Sequence, residues 1–194
     1  MAIIAKKTIL DYLKSGQIVI SPFSGEQLGP NGYDLHLGKN LYCYEGNFID
    51  TKLDVSGNYR PLVIPPQGLI IHPDIIYLGV TVEYTEAHGL VPVMEGKSSL
   101  GRMGMESHIC AGFGDDGFCG HWTLEIRVTV PTRIYAGMPI GQIIWHQSFG
   151  SEASSSYIRT GSYNNLISDD PKPVLPNLWK KEHQFIEVYT RNEN

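Results

Sequence analysis

Between Gly96 and Ile126 the chain reads GKSSLGRMGMESHICAGFGDDGFCGHWTLEI. Lys97, Ser98, Ser99, Arg102, His108, Asp115, Asp116 and Glu125 all fall in this one stretch, spaced by glycines and aromatics. A cation, two hydroxyls and the backbone N–H groups of a Gly-bearing turn are what a phosphate group needs. A carboxylate such as Glu125 is what a proton transfer needs. The stretch is not a Walker A loop, because that motif has Gly five positions before its Gly-Lys pair and Val91 stands there. Taken alone, Lys-Ser-Ser is equally a solvated turn before a strand.

A metal centre is the other chemistry the stretch suggests. Cys110, Cys119, His108 and His121 lie close together in the chain, but their spacing matches no common zinc pattern. The H-x-E and P-C-x-x-C pair of the zinc-dependent base deaminases is also absent. Core filling and hydrogen bonding are the expected roles of these four residues.

The elements that would position this chemistry are mostly strands. Only Lys6 to Lys14 has helical spacing, through Ile9, Leu10 and Leu13, with Thr8 as the expected cap and Gly16 as the stop. Beyond it, Gly and Pro punctuate short runs rich in β-branched and aromatic residues. They are QIVIS, YDLHLG, NLYCYEG, PLVIPP, GLIIHP, IIYLGVTVEY, HWTLEIRVTV, TRIYAG and GQIIWHQ. Tyr33, Leu35 and Leu37 alternate with period two, as do Trp122, Leu124, Ile126 and Val128. This predicts an all-β sandwich or barrel with a small helical start. Alternation puts Glu125 on the face opposite Trp122, Leu124 and Ile126.

With 194 residues the chain is expected to form a single domain, 1–194. Residues from about 150 to 194 form a Ser- and Gly-rich, then Pro-rich, C-terminal arm with Trp179 near its end. The arm is expected to dock on a neighbouring subunit, with folding back as the alternative. A net charge of −5 without a long basic run argues against a nucleic-acid coat protein. No run has the length of a membrane span, no export signal is evident, and three cysteines suit a reducing compartment, so a cytoplasmic protein is expected.

Four segments together resemble one family, the dCTP deaminases of the dUTPase-like superfamily. Their pattern is G-[RK]-S-S-L-[AG]-R-[LM]-G, H-x-T-A, I-D-x-G-[WF]-x-G and x-L-E; this chain has GKSSLGRMG, HICA, GDDGFCG and TLE. GPNGYDLHLG and AGMPIGQIIW resemble two further strands of the family, so the likeness runs from about Leu10 to Phe149. The resemblance implies a distorted β-barrel or jelly roll with a short N-terminal helix and a flexible C-terminal arm. It implies a homotrimer with sites between subunits and the arm closing over the ligand.

The chemistry it implies is metal-free hydrolytic deamination of a deoxycytidine nucleotide, dCTP to dUTP and ammonia. Mg²⁺ would be carried by the phosphates, with no zinc. By the same resemblance Glu125 shuttles protons, Arg102 keeps it ionised, and Ser98 and the Ala111 carbonyl hold the attacking water. Lys97 and Ser99 would meet phosphates, Asp115 the 3′-hydroxyl, and Phe118 the face of the sugar. Thr123, Tyr157 and Tyr163 complete the substrate-binding set. The arm departs from the pattern: SYIRTGSYNNL has Ser162 in place of a lysine and Leu166 in place of a glutamine, with Arg159 a candidate replacement charge. Gly114 replaces the usual Ile. The rival readings are a dUTPase or bifunctional enzyme yielding dUMP and pyrophosphate, a deaminase of dCMP or of a modified nucleotide, and a non-catalytic nucleotide-binding module.

Overall fold

The computed structural model describes residues 2–110, 112–148, 150, 163–164 and 167–176. Helix α1, Lys6–Ser15, buries Ile9 and stops at Gly16, whose φ of 79° is left-handed. Thr8 lies inside this helix and does not cap it; Ala5 is the cap residue and contributes no side-chain bond. The reason is tertiary: the Lys6 N–H at the start of the helix donates to the Pro30 carbonyl at 2.7 Å, so a neighbouring loop satisfies that donor.

Among the described residues eleven strands follow: β1 Ile18–Ser21, β2 Tyr33–His36, β3 Asn40–Tyr44, β4 Tyr59–Val63, β5 Leu69–Ile71, β6 Tyr77–Ala87, β7 Leu90–Gly96, β8 Met105–Glu106, β9 Cys119–Val128, β10 Thr132–Ile134 and β11 Pro139–Gln147. A one-turn helix, α2, spans Ser98–Gly101 between β7 and β8. Each of the nine β-rich runs of the sequence overlaps a strand. Strands β7 and β8 are not among them: β8 has only two residues, and Pro92 interrupts the pattern of β7, where it is tolerated because β7 is the outer strand of its sheet.

The largest sheet has the order β4-β3-β6-β9-β8, with β1 also on β6, and a second has the order β2-β11-β7. A two-stranded ribbon, β10-β5, completes the set, and every pairing is antiparallel. Both large sheets feed one apolar core. Tyr33, Leu35 and Trp145 enter it from one sheet, and Ile18, Leu124 and Ile126 from the other. The molecule is thus all-β with a short N-terminal helix, as expected. Among the described residues, no helix is long and apolar enough to cross a membrane.

A buried polar knot ties the two sheets together. Glu83 on β6 is 2 % exposed. Its carboxylate accepts from the His36 N–H at 2.8 Å and from Gln27 Nε2 at 2.8 Å, and meets His36 Nδ1 at 2.7 Å. Gln27 in turn accepts from the Tyr33 hydroxyl at 2.8 Å. A buried carboxylate satisfied this fully links β2 of one sheet to β6 of the other.

Candidate active site

Strand β9 divides its side chains as its alternation predicts. Trp122, Leu124 and Ile126 are buried, while Thr123 and Glu125 are half-buried on the other face. That second face borders a cavity of about 580 Å³, ample for a nucleotide-sized ligand. Asp115, Phe118, Thr123, Glu125 and Tyr163 line it, so five of the expected site residues share one space. Cys110, His121, Leu78, Tyr59, Val174 and Pro176 line it as well.

The Glu125 carboxylate is anchored by main chain. Its Oε2 accepts from the Ile109 N–H at 2.9 Å and from the Cys110 N–H at 3.3 Å. Oε1 has no hydrogen-bond partner among the described residues. The arrangement fixes the side chain through one oxygen and leaves the other for a proton.

The remaining members of the set are elsewhere on the chain. Lys97, Ser98, Ser99 and Arg102 lie on or beside α2, and none lines the cavity. Arg102 Nη1 donates to Ser98 Oγ at 3.4 Å, and both residues are exposed. Among the described residues no hydrogen bond or ion pair joins Arg102 to Glu125 of the same chain. β8 and the turn after it separate α2 from β9 along the chain. Lys97 Nζ lies 2.6 Å from Asp34 Oδ1, so its charge is already paired with β2. Ala111 and Tyr157 lie outside the described residues, as do Arg159, Ser162, Leu166 and Trp179.

The turn Asp115–Phe118 is closed by the Phe118 N–H donating to the Asp115 carbonyl at 3.0 Å. Gly117, with φ of 88°, supplies the left-handed third position that such a turn requires. Phe118 is both core and cavity wall: it is 8 % exposed, and its ring centroid lies 4.6 Å from that of Trp122. Trp122 also explains Gly114. A Cβ at Gly114 would sit 2.8 Å from the Trp122 ring and 3.1 Å from the Pro92 carbonyl. The indole has taken the volume in which a side chain at 114 would stand, and its Nε1 donates to Thr85 Oγ1 at 2.9 Å.

His108 Nε2 lies 3.1 Å from the Met94 carbonyl, which gives it a main-chain partner. His121 is almost fully buried, with Nδ1 3.2 Å from the Thr81 carbonyl and Nε2 accepting from the Ser168 N–H at 3.2 Å. Both contacts are hydrogen bonds only if Nδ1 carries the proton. Burial pulls the His121 pKa below its ordinary value, opposed in part by the Thr81 carbonyl. Burial, then the nearby Glu86 carboxylate, pushes the Cys119 thiol up.

Residues 168–174 of the arm hydrogen-bond to their own chain. Val174 N–H donates to Thr123 Oγ1 at 2.9 Å. Asn40 Nδ2 donates to Asp170 Oδ1 at 2.7 Å and to the Pro171 carbonyl at 2.8 Å. Asn40 and Lys39 hold the exposed Asp170 carboxyl below the usual range. Sequence reasoning missed Tyr59, Leu78, Val174 and Pro176 as cavity walls. For Leu78 the missing signal was register, since it stands directly opposite Glu125 across the β6–β9 pair.

Comparison with known proteins agrees with this geometry. A family model described as dCTP deaminase-like matches residues 3–148, ending where the arm begins. The chain is 46 % identical to a "dCTP deaminase, dUMP-forming" of Leptospira biflexa over 179 residues, 92 % of this chain and 99 % of the relative. It is 41 % identical to proteins of the same name from Cytophaga hutchinsonii, over 86 % of this chain and 91 % of that one, and from Clostridium acetobutylicum, over 93 % and 98 %. Among solved structures it resembles the 2′-deoxycytidine 5′-triphosphate deaminase of Agrobacterium tumefaciens, with a TM-score of 0.61. That match is 19 % identical and covers 75 % of this chain and 48 % of the other, a likeness of fold.

Proposed function

The chain belongs to the dCTP deaminase-like family, and we propose that it converts dCTP to dUMP, ammonia and pyrophosphate by two hydrolyses in one site. The observation that carries this reading is the shared cavity: Glu125, a proton carrier, and Asp115, the carboxylate expected beside the sugar, line the same space. The sequence alone ranked dUTP as the product and put the bifunctional route second. The names of the relatives, dUMP-forming at 41–46 % identity over most of the chain, favour the bifunctional route.

In the first step water adds to C4 of the cytosine. Glu125 takes the proton that water gives up and passes it to N3. It then takes the proton of the new C4 hydroxyl and gives it to the amino group, which leaves as ammonia while C4=O forms. One carboxylate completes each transfer because it alternates between base and acid. The Ile109 and Cys110 N–H groups keep Oε2 in place throughout. In the second step a water oriented by Asp115 attacks the α-phosphate, and pyrophosphate leaves. Mg²⁺ enters with the phosphates as part of the substrate. Phe118, backed by Trp122, forms the wall against which the deoxyribose lies and leaves no room for a 2′-hydroxyl.

The exposed donors around α2 belong to this reading as phosphate and water ligands supplied by a second copy of the chain. Within one chain they stand outside the cavity, so the site is completed between protomers of a homo-oligomer, a trimer by the family resemblance.

Incubating the full chain with dCTP and Mg²⁺ and separating the products by chromatography tests the proposal. Equal amounts of ammonia, dUMP and pyrophosphate are expected, without accumulation of dUTP. Ammonia with dUTP as the end product would make the chain a deaminase alone. Pyrophosphate from dUTP with no ammonia from dCTP would make it a dUTPase. No turnover of either nucleotide would remove the enzymatic reading.

A further inference from the structure

A second cluster of reactive side chains lies behind the Asp115–Phe118 turn, outside the cavity. Glu86 is the last residue but one of β6, His88 sits in the turn between β6 and β7, and Cys119 opens β9. One ligating atom from each lies within 4.8 Å of the others, and all three residues are half-buried. Glu86 and Cys119 are direct partners in the β6–β9 register, so the sheet itself holds the carboxylate opposite the thiol. His88 follows two residues after Glu86 and brings Nε2 to 2.8 Å from Glu86 Oε2.

We propose that Glu86, His88 and Cys119 form a binding site for a divalent transition metal, zinc by preference, that clamps the β6–β7 turn to the start of β9.

Thiolate, imidazole and carboxylate are the donors zinc selects, and calcium or magnesium would not choose a sulfur. Bonds of about 2.0–2.3 Å place tetrahedral ligand atoms roughly 3.3–3.8 Å apart. The observed spread therefore needs only a small contraction and an opening of the Glu86–His88 contact. One thiolate and one carboxylate balance a dication. An outer partner is already in place, because the Tyr84 hydroxyl donates to Glu86 Oε1 at 3.0 Å and leaves Oε2 toward His88. The turns are laced beside the cluster as well, with the Gly89 N–H donating to Asp116 Oδ1 at 2.8 Å. Three protein ligands leave a fourth position for water. The sequence offered Cys119 as a ligand only with His108, His121 and Cys110; its metal partners come from β6 and the turn after it, more than thirty residues earlier in the chain. The site is separate from the deamination chemistry, which uses Glu125.

The test is a titration of the full-length, chelator-treated protein with Zn²⁺, and with Co²⁺ as an optical probe. About one equivalent per chain is expected to bind, with a sulfur-to-cobalt charge-transfer band in the near ultraviolet. Cys119→Ser should abolish the band. His88→Gln should weaken binding by at least the roughly 10–100-fold that losing an outer partner typically costs. Cys110→Ser should change neither. Because a variant can fail to fold, a second measurement uses the unaltered chain: Zn²⁺ should slow alkylation of Cys119, read by mass spectrometry, without slowing that of Cys110. Absence of binding, a band that survives Cys119→Ser, or alkylation of Cys119 indifferent to Zn²⁺ would each overturn the site. None of these outcomes touches the nucleotide assay, so the two proposals fail separately.

Discussion

The backbone N–H of Val174 donates to the hydroxyl of Thr123 at 2.9 Å, two residues from Glu125 and on the same face of β9. The chain thus brings Ser168 and Val174 against the strand that carries Glu125. Val174 and Pro176 are part of the cavity wall. A segment held by a few hydrogen bonds at this position can seal the cavity against water or yield to a ligand.

Thr123→Val keeps the shape of the side chain and removes the acceptor. The Val174 N–H then has no partner in a partly buried place, at a cost of about 1–3 kcal/mol. Faster hydrogen exchange at Val174 and easier proteolysis within 167–176 are expected, with the melting temperature of the sheets little changed. Unchanged exchange at Val174 would mean that the Thr123 bond does not hold the segment.

His121 gives the same segment a pH dependence. The ring must be neutral for Nε2 to accept from Ser168. Its pKa is lowered by burial, so this stability is complete above the ordinary value near 6.5 and is lost as the pH falls through the lower folded value. Exchange of the Ser168 amide, corrected for its intrinsic rate, should rise as the pH falls below the ordinary histidine value and through the lower folded one. Protection that persists until the sheets themselves unfold in acid would contradict the assignment of the tautomer.

Gly114 and Trp122 should behave as a coupled pair. Gly114→Ile drives a side chain into the indole and the Pro92 carbonyl, an overpacking that typically costs about 1–3 kcal/mol. Shrinking the ring in the double variant Gly114→Ile, Trp122→Ile should return part of that loss. Denaturant unfolding of the two singles and the double measures the coupling; strictly additive losses would show that the two residues do not share the volume.

Local patterns are legible in the sequence. Period-two alternation put Glu125 opposite Trp122, Leu124 and Ile126, and that is how β9 divides its faces. The family resemblance placed Asp115, Phe118, Thr123 and Tyr163 in one site, and all four line the cavity with Glu125. What was not legible is what the sheet register and the long loops decide. Nothing in the order of residues says that α2 stands apart from β9, that Asp34 pairs with Lys97, or that Glu86 faces Cys119. Trp122 read as a core residue, and only the space around Gly114 shows that it also rebuilds the cavity floor. The Ser, Gly and Pro content of the arm likewise carries no sign that Asp170 and Val174 will meet Asn40 and Thr123.

The central claim is that the Glu125 carboxylate carries the protons of deamination, and its most direct test is ammonia release under single-turnover conditions. Glu125→Gln keeps an oxygen for the Ile109 and Cys110 N–H groups and cannot shuttle a proton. Release from dCTP is expected to fall by at least the roughly 10²–10⁴-fold of a lost general acid–base, while nucleotide binding, read by calorimetry, stays within a few-fold. Ammonia released by Glu125→Gln at a rate near that of the unaltered chain would contradict the account.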